Sequence, residues 1–395
     1  MIYDYLIIGG GIIGLSIAKA IIEKEPNARV CVIEKESSVA QHASGRNSGV
    51  LHAGFYYTSN SLKAKFTKDG NYELKKFCKE HNLELNECKK VVVAQNRDEV
   101  QTLKELYNRG VTNGVEVELI DIKRLEEIEP NAKSVELALY SPSTATVNPK
   151  EVTQKLASIL EKKGVEIILN CKYLKRSDSD EIITNKGNLK YKKLINASGL
   201  YADKIAKDFG FSKNYTIIPF KGVYLKYEGK DRVIKRNIYP VPNLKNPFLG
   251  VHYTITVDNT IKIGPTAIPA FWRENYKGFE NFSILEMLNI LFYESKLFLT
   301  NSFGFRDLAF NEIKKYSKKH LAKLATSLVK NIDNKEFNSW STPGIRAQLL
   351  DINSLELVQD FVVESDKKTI HILNAVSPAF TCSFPFSKWV VDNFL

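Results

Sequence analysis

The first apolar run in the chain, Tyr5-Leu6-Ile7-Ile8, is short and unbroken; three glycines follow it, and apolar positions then recur at helical spacing from Leu15 to Glu23. An uninterrupted run predicts a strand buried on both faces, and a 3.6-residue period predicts a helix lying on it. Pro26 and Asn27 end that helix, and Val30 to Ile33 repeat the buried-strand pattern. Between Gln41 and Gly54 periodicity gives way to a polar loop punctuated by glycine. Leu62, Phe66, Leu74, Phe77 and Cys78 then keep one face of a helix, interrupted by Gly70, ahead of a strand at Val91 to Ala94 and a helix near Asp98 to Asn108. Asn148 and Pro149 make a helix start, and Gly164 closes that helix before a strand at Val165 to Leu169. Tyr191 to Ile195 predicts another strand, and Leu200 to Phe209 another helix. From Thr216 to Gly264, short runs rich in Val, Ile, Tyr and Phe alternate with turns, which predicts one antiparallel sheet. Ile284 to Leu299 predicts a very apolar helix. The helix after it carries Lys314, Lys315, Lys318, Lys319 and Lys323 at i, i+4 spacing. Strands at Phe361 to Glu364 and Thr369 to Leu373 and a last helix at Ala379 to Val391 complete a chain without repeats.

At 395 residues there is room for about two domains, and 44% hydrophobic with 26% charged residues is ordinary for a soluble globular protein. The net charge of +11 favours an anionic cofactor, an acidic substrate or an anionic membrane surface. No nucleic-acid-binding motif accompanies that charge, so nucleic acid is not an expected partner. Five cysteines, Cys31, Cys78, Cys88, Cys171 and Cys382, are odd in number and show no C-x-x-C spacing, which argues for packed thiols and against a disulfide framework or a metal site. The apolar first twenty-two residues imitate a signal peptide, but Asp4 stands where a basic start belongs and the stretch is taken up by a nucleotide motif. The expected location is cytoplasmic; the basic helix reads first as an ordinary solvated helix, with peripheral contact on the inner membrane face as the alternative.

That motif is Gly9-Gly10-Gly11-Ile12-Ile13-Gly14 between strand and helix. In G-x-G-x-x-G, Gly9 allows the tight turn, Gly11 lets a pyrophosphate reach the backbone, and Gly14 lets the helix lie close on the strand. The helix N-terminus at Ile12 and Ile13 offers N–H groups and a positive dipole end. Glu34, followed by Lys35, ends the second strand twenty residues after Gly14, where a carboxylate accepts hydrogen bonds from a ribose. The loop that follows, with Ser44, Arg46, Asn47, Ser48 and Gly49, supplies many small donors. It suits a second phosphate and a ribitol chain, and therefore a flavin dinucleotide better than NAD.

These segments, with Arg46 to Tyr57, resemble the FAD-dependent oxidoreductases related to D-amino-acid oxidase, most closely their L-2-hydroxyglutarate oxidase/dehydrogenase branch. Tyr239-Pro240-Val241-Pro242, Pro247 to Thr254, Ile263 to Ala267, Gly344-Ile345-Arg346-Ala347-Gln348 and Asn374 to Ala379 agree with it. The likeness is weakest from Trp272 to Asn338. It implies an α/β fold, α+β overall, with a Rossmann-like FAD-binding domain (1–85, 146–213 and 338–395) and an inserted antiparallel-sheet substrate domain (86–145 and 214–337). Ala197 and Gly199 then lie on the adenine side of FAD. Ser377, Pro378 and Ala379 bring N–H groups and a helix start to the flavin N1–C2=O edge. His52 becomes a flavin contact, and in some relatives with a similar H-A-x-G stretch a histidine is joined covalently to FAD. On the substrate side, His252 becomes the general base, Arg346 and Lys221 carboxylate partners, and Tyr57 and Tyr239 hydrogen-bonding groups. Phe380 to Phe386, with Pro385, depart from the family's run of small residues. The implied reaction is oxidation of L-2-hydroxyglutarate or a close 2-hydroxy dicarboxylate to the 2-oxo acid, with electrons passing to oxygen or a quinone-linked acceptor. Amino-acid or amine oxidation, glycerol-3-phosphate oxidation, and flavin binding without turnover stay open as alternatives.

Overall fold

The computed structural model describes residues 2–229, 231, 233–243 and 250–395, so Pro247, Phe248 and Leu249 of one family segment lie outside the described residues. The opening apolar run becomes the C-terminal half of the strand Ile2–Ile8, parallel to Val30–Ile33 on one side and to Gly187–Asn196 on the other. Thr369–Asn374 and Glu166–Ile168 extend this parallel core outwards. Tyr5 and Ile7 face a core shared with the helices Ile12–Lys24, Leu62–Glu80, Pro149–Lys162 and Ala379–Phe394. Leu6 and Ile8 face a second core with Ile205 and Phe209 beyond the sheet. Helices on both faces leave no solvent side, which is why the run shows no polar alternation. The sheet gathers strands from three distant stretches, 2–33, 166–196 and 362–374.

The stretch from Thr216 to Gly264 is not the single antiparallel sheet its pattern predicts. Tyr215–Gly222 leaves to pair with Gly344–Asp351 and Ile268–Pro269 in a three-stranded sheet. Leu225–Tyr227, Asn237–Pro240, His252–Ile255 and Ile261–Gly264 join an eight-stranded sheet that also holds Lys90–Val93, Leu137–Ser141, Glu118–Asp121 and Phe337–Trp340. Within it Asn237–Pro240 runs parallel to Lys90–Val93. Partners so far apart in the chain leave no mark on a local hydrophobic pattern. The basic helix also divides, into Phe305–Lys314 and Lys318–Thr326, because Ser317 caps the second piece by accepting from the His320 N–H.

Pro385 lies inside the helix Ala379–Phe394, where it has no N–H to give the Thr381 carbonyl. That carbonyl is where a Cβ on Gly70 would collide, on the helix Leu62–Glu80. The glycine that interrupts one helix and the proline that interrupts the other are therefore two sides of one close crossing. Phe384 packs edge-on against Phe77 at 5.4 Å and Phe386 stacks on Phe361 at 4.4 Å, so the bulky departure from the family pattern fills the core. Gly70→Ala should lose stability at or above the upper end of the roughly 1–3 kcal/mol typical of overpacking, read from denaturant unfolding. An unchanged midpoint would mean that the crossing is loose.

Candidate functional site

A cavity of about 1090 Å³ runs between the parallel sheet and the eight-stranded sheet, lined from both. It exceeds the roughly 300–1,000 Å³ of an ordinary ligand pocket, so it has room for a dinucleotide and a small substrate together. Gly9, at φ +111°, and Gly11 line it at the first strand–helix turn. Gly14 does not line it; a Cβ there would strike the Gly9 carbonyl, so its place is the helix-on-strand contact. Ile12 and Ile13 open the helix into the cavity, and the Ile12 N–H donates to Ser44 Oγ at 2.9 Å. Glu34 lines the cavity too, while its carboxylate accepts from the N–H groups of Gly10 (2.8 Å) and Glu36 (3.0 Å), which pins the glycine turn.

The polar loop spends much of its chemistry on its own shape. Asn47 donates to the carbonyls of Ala43 and Ser44 and accepts from the Gly49 N–H. Arg46 donates to the Gln41 carbonyl at 2.6 Å and lies over the Tyr276 ring at 4.3 Å. Arg46, Asn47 and Ser48 line the cavity; Gly49 faces the Val147 carbonyl instead. Ala197 and Gly199 line it from the second strand–helix turn, where Asn196 accepts from Ser198 and donates to the Ala202 carbonyl. Ser377, Pro378 and Ala379 line it where the last helix starts. An anion beside them meets the positive end of a sixteen-residue helix.

Beside Glu34 the cavity wall is a polar network. Lys35 pairs with Glu274 at 2.7 Å, Tyr201 donates to Glu274 at 2.7 Å, and His42 bridges Glu36 and Tyr276 at 2.9 Å each. Arg273 beside them forks onto Asp203 at 2.7 and 2.9 Å, both side chains buried. Glu36, His42 and Glu274 converge within 4.8 Å, already joined through these hydrogen bonds and ion pairs. Lys35 was a candidate from the sequence, but its partners Arg273, Glu274 and Tyr276 come from a stretch where local pattern is weak, and nothing in the sequence marked them.

At the other end His252, Tyr239, Arg346, Tyr224 and His52 line the cavity. The His252 and Tyr239 rings stack at 3.7 Å. His252 Nδ1 lies 2.8 Å from the Gly250 carbonyl, which can only accept, so Nδ1 carries the proton and Nε2 the lone pair. Burial, with the positive charges of Lys90, Arg346 and Lys315 behind it, pushes the imidazole down to about 3. His52 is held well below the usual imidazole range by burial, then by Lys90 and His252; its backbone N–H donates to Thr381 Oγ1, and its ring Nδ1 is buried with no protein partner among the described residues. Arg346 donates to the Thr266 carbonyl at 3.1 Å. Lys63, missed in the sequence, also lines the cavity, its ammonium pushed down to about 8 by burial. Lys221 does not line it: in the paired register it faces Ile345 while Arg346 faces Phe220, so the pleat sends the two cations to opposite sides of the sheet. Tyr57 also lies outside, in the core around Phe55 and Val92.

The family model for FAD-dependent oxidoreductases, DAO, matches residues 4–393. The chain belongs to that family. It is 34% identical to the L-2-hydroxyglutarate dehydrogenase of Escherichia coli K12, covering 99% of this chain and 93% of that one. It is 36% identical to the enzyme of that name from Indibacter alkaliphilus over the whole of both chains. Among solved structures, L-α-glycerophosphate oxidase from Mycoplasma pneumoniae with FAD bound superposes with a TM-score of 0.76 at 21% identity, over 99% of this chain and 94% of that one. Glycine oxidase from Geobacillus kaustophilus gives 0.71 at 18%, with the same coverage. Those two likenesses concern the fold. FAD is the cofactor of the family, and the residues present fit it: a glycine cradle that a side chain would fill, two helix starts on one cavity, and an orphaned His52 Nδ1.

Proposed function

We propose that this chain oxidises L-2-hydroxyglutarate, or a close 2-hydroxy dicarboxylate, to the 2-oxo acid. The observation that carries the proposal is the end-to-end likeness, at 34–36%, to enzymes named for that substrate. When bound, FAD supplies the two-electron acceptor. His252 takes the substrate hydroxyl proton on Nε2. Arg346, on the same wall, holds a carboxylate with its planar fork, and Tyr239 fixes the imidazole by stacking. Gly9, Gly11, Glu34, Lys35, the 44–48 loop, Ala197, Gly199 and the start of the last helix hold the dinucleotide. Anaerobic mixing of the holoprotein with a panel of 2-hydroxy acids, amino acids and glycerol 3-phosphate tests this reading by flavin bleaching. Bleaching by L-2-hydroxyglutarate in preference to the rest supports it; bleaching only by amines or glycerol 3-phosphate moves the chain to those activities, and none at all to a flavin binder.

The location and acceptor are part of the same proposal: a peripheral protein of the cytoplasmic membrane face, passing electrons to a membrane quinone, with oxygen as the alternative. All but four of the exposed large apolar side chains among the described residues fall between Phe271 and Leu324, with Phe279 82% and Leu285 77% exposed. Lys314, Lys318, Lys319 and Lys323 are exposed in the same stretch. Among the described residues no helix is long and apolar enough to cross a membrane. An apolar face rimmed by lysine fits the surface of an anionic bilayer. Sedimentation with anionic vesicles should weaken for Leu285→Glu and for Lys→Gln changes at 318, 319 and 323, and salt should weaken it as well, because exposed charges are screened beyond about 8 Å at physiological ionic strength. Equal sedimentation of all variants would remove the membrane from the proposal.

A further inference from the structure

Lys90 begins the strand Lys90–Val93 in the eight-stranded sheet and is fully buried, and its Nζ has no hydrogen-bond partner among the described residues. An unpartnered buried amine is costly and therefore rare. Three aromatic rings surround it: Tyr239 at 4.1 Å, Tyr56 at 5.2 Å and Phe55 at 5.7 Å from ring centre to Nζ. Ring faces compensate a cation in part without a counter-ion. Tyr239 is the same ring that carries His252 on the cavity wall at 3.7 Å. Ammonium, phenol and imidazole thus follow one another from the core to the cavity. Lys90 itself does not line the cavity; whatever it does there, it does through this stack and through space.

We propose that Lys90 is an electrostatic positioning residue of the substrate end: a caged positive charge that draws an anionic substrate against the His252 wall and adds to the burial that keeps both neighbouring histidines neutral. The titratable and charged groups around the stack are Cys88 beside Lys90, His52, Tyr56 and Tyr239 around it, and Arg346 and Lys315 behind His252. Tyr57 and Tyr224 also face Tyr239, and Glu312 pairs with Lys315 and faces Arg346; among the described residues no carboxylate acts on Lys90, His52 or His252 themselves. Of Lys90, His52 and His252, the imidazoles are driven furthest from the charged form, and the ammonium falls to about 7 through burial. A first charge in this cluster therefore belongs on Lys90, and it is present or absent within the physiological range. A dianionic ligand then binds tightly while Lys90 is charged and more weakly once it is neutral.

The proposal rests on the dicarboxylate reading, and its test has one arm that does not. Lys90 has a folded pKa near 7 against about 10.4 in an unfolded chain. The unfolded state binds the extra proton between those values, so wild-type stability rises with pH across that window and is lowest below it. Lys90→Met holoprotein should therefore melt higher than wild type below pH 7, with the gap closing towards pH 10. A lysine kept for packing or for a hidden partner would give the opposite, a loss at every pH, and would overturn the proposal. The second arm follows binding of 2-oxoglutarate through the flavin spectrum from pH 6 to 9. The wild-type Kd should rise about tenfold over that range, as for a unit charge felt roughly 12 Å away at an effective protein dielectric of about 20. Lys90→Met should be weak and flat, and Lys90→Arg tight and flat, which restores the charge without its titration. Identical profiles in wild type and Lys90→Met, with binding intact, overturn the inference alone. Failure of wild type to bind any 2-oxo or 2-hydroxy dicarboxylate overturns the dicarboxylate reading and the attraction together, whatever the melting arm shows.

Discussion

Gly11→Val should fold and remain colourless. Gly11 sits just before the first helix with φ −82° and ψ 175°, an extended backbone that valine adopts without strain. A Cβ there would meet the Ser44 hydroxyl at 2.9 Å and otherwise only the 4.0 Å contact of Ser44 Cβ, both parts of one short side chain. The added methyl groups point into the space the dinucleotide needs, and an obstructed pyrophosphate contact should weaken FAD at least hundredfold, about 2.7 kcal/mol. Gly9 and Gly14 make poor substitutes for this test. At Gly9 a side chain meets the Ala197 carbonyl at 2.6 Å with φ +111°, and at Gly14 it strikes the Gly9 carbonyl, so both variants confuse flavin loss with misfolding. Released-flavin fluorescence with circular dichroism separates the two effects. Full FAD occupancy in Gly11→Val would put the cofactor elsewhere.

The contrast among these glycines shows what the sequence made legible. Strand, turn, helix and terminal acid are local, so their spacing made the first strand–helix turn legible, including the division of labour between Gly11 and Gly14, whereas Glu274 on the same cavity wall, with Tyr276 beside it, joins from more than two hundred residues away. The crossing of Gly70 and Pro385 joins residues more than three hundred apart, and each alone reads as a defect. The same distance hid the departure of Tyr215–Gly222 to another sheet, and with it the pleat that separates Lys221 from Arg346. Lys90 was invisible for a different reason. A lysine at the head of Val91-Val92-Val93 reads as a strand end in solvent, and only the closing of Phe55, Tyr56 and Tyr239 around it makes it a buried charge.

His252→Gln should keep FAD and lose turnover. The imidazole presents a lone pair whose tautomer is fixed: Nδ1 is committed to the Gly250 carbonyl at 2.8 Å, so Nε2 is the acceptor. Glutamine fills similar space and still hydrogen-bonds, but it takes no proton, and removing a positioned base costs roughly 10²–10⁴-fold in rate. Flavin reduction at saturating L-2-hydroxyglutarate should fall by that factor while 2-oxoglutarate binding changes little. The pH dependence gives an independent check, because saturation removes the binding contribution of Lys90. A base pushed down to about 3 is neutral at every higher pH, so the limiting rate should show no acid limb from this group down to about pH 4. An imidazole in ordinary surroundings would instead halve the rate near pH 6.5. A wild-type limb at that pH that vanishes in His252→Gln would keep His252 as base but show it hydrated, and would remove burial, with the positive charges that add to it, as the reason for its neutrality. Normal turnover in His252→Gln would take His252 out of the chemistry, leaving its stack on Tyr239 as packing.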